Sequence, residues 1–145
     1  MADSTQPTTT AATVATVATA ATAATTTRVV EFTGNRNIFF ELLKINPGVF
    51  VFKFGAEWCK PCKMIKKQID DISLVIPDNV IYIYNVDVDE CFDVYAFLKQ
   101  KKMISGIPTL LAYKKGNTYF VPDASISGTN ENDINNFFNT CLKML

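Results

Sequence analysis

The chain has 145 residues, 48% of them apolar and 19% charged, and its 14 basic side chains balance its 14 acidic ones. That composition suits one globular domain whose core needs no disulfide staples, and zero formal net charge supplies no long-range pull toward nucleic acid or an anionic membrane. No apolar run approaches the roughly 18–20 residues of a membrane span, and the complete lack of histidine excludes Cys-His and Ser-His catalysis and every histidine-containing zinc site.

Residues 1–27 are mostly alanine and threonine, with Pro7 early and no aromatic residue. Such a segment buries too little to offset its chain entropy and reads as a disordered tail. Asp3 and the interspersed threonines do not fit a secretory signal, and the first arginine, Arg28, comes too late for a transit peptide. The expected location is the cytoplasm, or the virion if the chain is virally encoded.

The folded part is expected over residues 28–145. Arg28–Thr33 reads as a short strand, and Asn35 or Asn37 caps a helix over Ile38–Ile45. Asn46-Pro47-Gly48 turns the chain into Val49–Phe54, apolar enough for a central strand covered on both faces. A helix follows the paired cysteines and runs to about Val75. Val80–Val88, rich in β-branched and aromatic residues, is the next strand. Asp89 is the expected cap of a helix from Glu90 to about Lys101, with Phe92, Tyr95, Ala96 and Leu98 toward the core. Leu110–Tyr113 is a strand, Lys114-Lys115-Gly116-Asn117 a hairpin turn, and Thr118–Val121 its returning partner. After Gly128, Thr129 or Asn130 caps a last helix, Glu131–Leu145. The order is βαβαβαββα, with parallel crossovers first and an antiparallel hairpin later.

Chemistry concentrates in Phe54–Met64, FGAEWCKPCKM, where a strand hands over to a helix. Cys59 precedes the helix, so its sulfur faces unpaired N–H groups and the positive end of the helix dipole, which favour thiolate. Cys62, one turn further in, lies within closure range as the resolving thiol. A structural disulfide or half a zinc site are the other readings; zinc needs two more ligands, and no histidine or second Cys-x-x-Cys supplies them. Pro61 restricts the turn where no N–H is required. Trp58 reads as a shield for the pair and part of a docking surface, or as a core aromatic. Cys91, near a helix start, reads as a structural residue or as a regulatory or dimer-forming thiol, and Cys141, on an apolar helical stripe, as a small buried residue.

The motifs Ala56–Met64 and Gly106-Ile107-Pro108-Thr109-Leu110, over forty residues apart and on the right elements, resemble those of the thioredoxin family. The resemblance runs from Val29 to Leu142, and Asn85–Val94 adds to it, with a cysteine at the place of Cys91. It implies an α/β thioredoxin fold: a mixed sheet of about five strands flanked by four helices. It also implies a cis Pro108 facing the disulfide, the backbone of Ile107 free to bind an extended peptide, and Gly128 as the glycine that admits substrate from the far side. The implied activity is thiol-disulfide exchange on protein disulfides, most simply as a reductase. Such a protein acts as a monomer regenerated by a separate reductase, with no cofactor beyond the Cys59–Cys62 pair and no metal.

Two residues depart from the family pattern. Where thioredoxins usually carry a buried aspartate six residues before the nucleophile, this chain has Lys53, and Lys60 stands where glycine is common. Cations beside the pair favour the thiolates and hence a more oxidising disulfide, unless both ammonium groups reach water. An oxidase or isomerase is therefore a second reading, and a binding adaptor that uses the Trp58/Ile107 surface a third. Lys67 replaces a helix-kinking proline, a structural difference only.

Overall fold

A computed structural model describes residues 26–145 of the chain. The Ala/Thr-rich stretch to residue 25 lies outside the described residues. Thr27, assigned to that stretch by composition, is part of the fold: its hydroxyl donates to Asp70 Oδ1 at 2.7 Å.

Five strands and four helices alternate in the expected order: β1 (Val30–Glu31), α1 (Arg36–Ile45), β2 (Val49–Gly55), α2 (Lys60–Val75), β3 (Ile81–Asp87), α3 (Phe92–Gln100), β4 (Thr109–Lys114), β5 (Ala124–Ser127) and α4 (Glu131–Lys143). They form one mixed sheet in the order β1-β3-β2-β4-β5. β1 and β2 run parallel to β3, with Glu31 opposite Asn85 and Lys53 also opposite Asn85. β4 and β5 are antiparallel to their neighbours, with Phe54 opposite Thr109 and Thr109 opposite Ser127.

β2 is central and buried along its whole length. Its period-2 alternation divides the core. Phe50, Phe52 and Phe54 join Phe39, Leu43, Val94, Leu98, Leu111 and Tyr113 on the face covered by α1 and α3. Val49 and Val51 join Ile65, Ile69, Leu110, Ala112, Ile134 and Phe138 beneath α2 and α4. Lys53 continues this second row, so strand alternation aims an amine at α2. Among the described residues no helix is long and apolar enough to cross a membrane.

Three local expectations change. The returning hairpin strand is not Thr118–Val121 but β5, because the chain rejoins the ladder only where Asp123 N–H donates to Ala112 O at 2.8 Å. The intervening loop has its own hydrogen bonds: Asn117 Nδ2 donates to Val121 O and Asp123 Oδ2, and Tyr113 OH to Phe120 O at 2.7 Å. The strand-forming residues there serve packing instead, Phe120 lying 5.9 Å from Phe97 of α3. Second, Asp89 does not cap α3. Asp87 Oδ1 accepts the N–H groups of Asp89 and Glu90, and α3 begins after Cys91 with Val94 and Leu98 inward and Phe92 exposed. Third, β1 is shorter than Arg28–Thr33. Asn35 caps α1 through the N–H groups of Asn37 and Ile38, and Asn130 caps α4 through Asp133 N–H.

Candidate active site

The end of β2 releases the chain through Ala56-Glu57-Trp58 into α2, and Cys59 is the residue that caps that helix. Its Sγ accepts the N–H of Cys62 at 3.2 Å, which satisfies one of the first-turn donors a helix leaves unpaired. Pro61 sits in the same turn, where its missing N–H costs nothing. Three residues of separation and this geometry bring the Cα atoms to 5.3 Å, and the sulfurs are joined as a disulfide. Both cysteines are almost wholly covered.

The register extends the site sideways. Phe54 opposite Thr109 sets Pro108 at the same end of the sheet as the cysteine turn, and the Ile107–Pro108 peptide bond is cis. Pro108 is buried, and its carbonyl accepts Gly128 N–H at 3.1 Å. Among the described residues the backbone N–H and C=O of Ile107 enter no hydrogen bond. Gly128 has φ +100° with open space where a Cβ would stand, so its glycine is demanded by the backbone rather than by crowding. Trp58, 69% exposed, is not a core aromatic: its indole N–H donates to Asp89 Oδ2 at 2.8 Å. That bond employs the carboxylate expected to cap α3.

The two lysines part company. Lys60 is exposed on the first residue of α2, with its charge in water. Lys53 is 8% exposed, and its Nζ donates to Asn85 Oδ1 at 3.2 Å. Burial holds its pKa below the ordinary lysine value; Asp70 and Glu31 work against that shift and Lys66 adds to it. Asn85 Nδ2 in turn donates to both carboxylate oxygens of Glu31 at 3.1 and 3.0 Å. Lys53, Cys62, Glu31, Asp70 and Asn85 line one cavity of about 610 Å³ behind the disulfide. Asn85, Glu31 and Asp70 were not singled out as site residues by sequence, and Asp89 only as a helix cap. The available signal was register: Asn85 is the strand partner of both Lys53 and Glu31.

Cys91 and Cys141 are free thiols and buried. Cys91 Sγ lies 3.4 Å from Phe32 O as a donor, and burial raises its pKa. Burial pushes Cys141 up to about 12. Neither is poised as a thiolate. No group of three or more histidine, cysteine or acidic residues among the described residues is placed to hold a metal.

Comparison with known proteins agrees with this geometry. The sequence profile of the family described as "Thioredoxin" matches residues 28–140. Thioredoxin 3 of Plasmodium falciparum is 35% identical over 88 residues, covering 61% of this chain and 45% of that protein. Thioredoxin-1 of Saccharomyces cerevisiae is 44% identical over 66 residues, covering 46% of this chain and 58% of that one. The chain thus spans about half the length of these two relatives. The solved structure of Trichomonas vaginalis thioredoxin superposes with a TM-score of 0.65 at 22% identity, covering 81% of this chain and 98% of the other, which identifies the fold. With the profile spanning most of its length, the chain belongs to the thioredoxin family.

Proposed function

We propose that the protein is a thiol-disulfide oxidoreductase that reduces disulfides in other proteins. The observation that carries this reading is the Cys59–Cys62 disulfide closed on the first turn of α2. In the dithiol state, Cys59 is the nucleophile, its thiolate favoured by the Cys62 N–H and the helix N-terminus. It attacks a substrate sulfur, forms a mixed disulfide and releases one substrate thiolate. Cys62 then attacks Cys59 Sγ, restores the Cys59–Cys62 bond and releases the second thiolate. The two electrons reach the substrate, and a separate reductase returns them to the pair.

Trp58, the Ile107 backbone and Gly128 form the surface on which an extended segment of the substrate lies, in the manner of an added strand. Pro108 packs behind that surface, and Pro61 holds the turn. A monomer in the cytoplasm suits this role. Lys53, which lines the same cavity as Cys62, bears on the oxidase or isomerase alternative: in its charged form it would stabilise the reduced pair.

Insulin reduction by dithiothreitol tests the principal reading. The wild-type protein is expected to accelerate precipitation of the insulin chains. Cys59→Ser is expected to lower that acceleration to background, and Cys62→Ser to accumulate mixed disulfides visible on non-reducing gels. Full activity in Cys59→Ser would reverse the roles, and no acceleration by the wild type would favour a binding adaptor. Equilibration with glutathione separates the two redox readings: a potential near the thioredoxin value of about −270 mV marks a reductase, and a value nearer −180 mV an isomerase-like protein.

A further inference from the structure

The net charge is zero, but the two signs are not evenly mixed over the surface. Carboxylates outnumber lysines around the cavity behind the disulfide, five to three, and Asp89 adds to them beside Trp58. Other lysines gather elsewhere. Lys99, Lys101 and Lys102 close α3, and Lys114 and Lys115 lead out of β4 into the loop before β5. All are exposed, and among the described residues none of them forms an ion pair, whereas Lys44, Lys66 and Lys67 each do. The acids on the same segments are already engaged. Asp93 is tied to Arg36 at 2.8 Å, and Asp123 accepts from the N–H of Lys114 and the amide of Asn117.

The two lysine groups flank one aromatic cluster. Lys101 Nζ stands 5.9 Å from the centre of the Phe97 ring and 5.5 Å from that of Phe120, and the rings are 5.9 Å apart, so the end of α3 and the loop meet there. The Arg36 guanidinium covers Phe97 at 4.8 Å. Tyr113 OH holds the Phe120 carbonyl, and the flanking side chains turn outward: Tyr119 is 61% exposed and Val121 43%. Tyr119 N–H donates to Asn117 Oδ1, and Val121 O accepts from Asn117 Nδ2, so this exposure is built into the loop.

Cations at the end of α3 complement the helix dipole. No such dipole calls for Lys114 and Lys115 at the end of a strand, and disulfide exchange does not call for apolar side chains held out among lysines. Tyr119 and Val121 line neither the cavity behind the disulfide nor the groove between β5 and α4. They project rather than enclose. Lysines around a raised tyrosine and valine join electrostatic attraction to an apolar anchor, the two signals that together hold a protein on a bilayer where one alone is marginal.

We propose that this surface docks the protein on anionic lipid headgroups. The lysines meet the phosphate and carboxylate groups, while the Tyr119 ring and Val121 enter the headgroup layer. Lys114 ends β4 at the opposite end from Thr109, about 17 Å away at strand spacing, so the cysteine turn stays clear of the bilayer and open to substrate. The carboxylates around that turn are repelled by the same anionic surface, which favours this orientation.

Co-sedimentation of the full chain with vesicles tests the proposal. At low salt the protein is expected to pellet with mixed phosphatidylcholine and phosphatidylserine vesicles, to stay in solution with phosphatidylcholine alone, and to be released by added salt. Lys102→Gln/Lys115→Gln alters two side chains that cover no ring among the described residues, and is expected to lower binding about thirty-fold. Tyr119→Ser is expected to lower it about ten-fold. Insulin reduction is expected to match the wild type in both variants, because neither alters the cysteine end. Trp58, the only tryptophan, reports the orientation, and its emission is expected not to shift on vesicle binding.

Failure to pellet with the mixed vesicles overturns the proposal, as does undiminished binding in Lys102→Gln/Lys115→Gln. A blue shift of Trp58 emission would put the cysteine end in the bilayer and overturn it too. Capture of a single-stranded oligonucleotide or a glutamate-rich peptide through Lys102 and Lys115, with no vesicle binding, would give this surface a different partner and overturn the lipid assignment.

Discussion

Lys53 and Lys60 are chemically identical in the sequence, and only the fold tells them apart. Lys60 occupies the first turn of an exposed helix start, whereas Lys53 falls on the row of β2 that faces α2, among aliphatic side chains. Strand alternation alone assigns the face, so the burial of Lys53 was within reach of the sequence. Its partners were not, because Asn85, Asp70 and Glu31 come from three other elements and meet it only through register and helix packing. Asp70 illustrates how far such partners matter. Its carboxylate is 17% exposed and is held by Lys66 at 2.7 Å and Thr27 at 2.7 Å. Its folded pKa lies below the ordinary value, so the unfolded chain binds the extra proton first as pH falls. The stabilisation is therefore complete above the unfolded value and is lost as pH drops through the folded one. Asp70→Asn is expected to cost about 1.5 kcal/mol at neutral pH, with the gap closing in strong acid, as measured by urea unfolding across pH. A gap of equal size at both ends would place the effect in packing instead.

At the scale of elements, periodicity and turn signals located the four helices and four of the five strands, and the fifth strand was misplaced for a physical reason. Thr118-Tyr119-Phe120-Val121 has strand composition beside a glycine turn, and nothing local distinguishes it from a hairpin arm. What excludes it is tertiary. The buried Tyr113 sends its hydroxyl out of β4 to Phe120 O, Phe120 turns to Phe97 of α3, and the side chains of Asn117 and Asp123 close the loop at its base. The side chain of Lys101 lies over the Phe97 and Phe120 rings, adding a cation–π contact to the same cluster. Tyr113→Phe keeps the ring in the core and removes only the anchor. It is expected to lower stability by about 1 kcal/mol and to raise the rate of proteolytic cleavage between residues 115 and 123 under native conditions. The cysteine turn should be untouched, since the loop lies at the opposite end of β4 from Pro108. A variant that loses stability without faster cleavage in the loop would locate the hydroxyl's contribution in the core.

For the molecule as a whole, the sheet separates an aromatic core under α1 and α3 from an aliphatic core under α2 and α4, and the cysteine turn and cis proline gather at one end of the shared central strands. The cavity behind the disulfide opens on the β1 side, and its outer wall includes Thr27 and Val29. The chain entering β1 is laid across α2. Thr27 reaches Asp70, Arg28 N–H donates to Ser73 Oγ at 2.9 Å, and the Arg28 guanidinium meets Ile76 O at 3.0 Å and Asp78 at 2.7 Å. We propose that the folding unit begins at this crossing, a residue or two earlier than the composition change at Arg28 suggests. A chain starting at Thr26 is expected to unfold at the urea midpoint of the full chain. One starting at Val30 loses the Thr27 and Arg28 hydrogen bonds, with little owed to the exposed Arg28–Asp78 pair, and is expected to be less stable by about 2 kcal/mol. The same truncation frees Asp70 from one of its two donors and widens the mouth of the cavity, which raises the hydration of Lys53 and favours its ammonium. The Val30 chain should therefore also show a higher inflection in an NMR titration of the Lys53 amine than the Thr26 chain. Equal midpoints and equal inflections would mean that the crossing merely rests on α2, with the domain and its cavity complete from β1 onward.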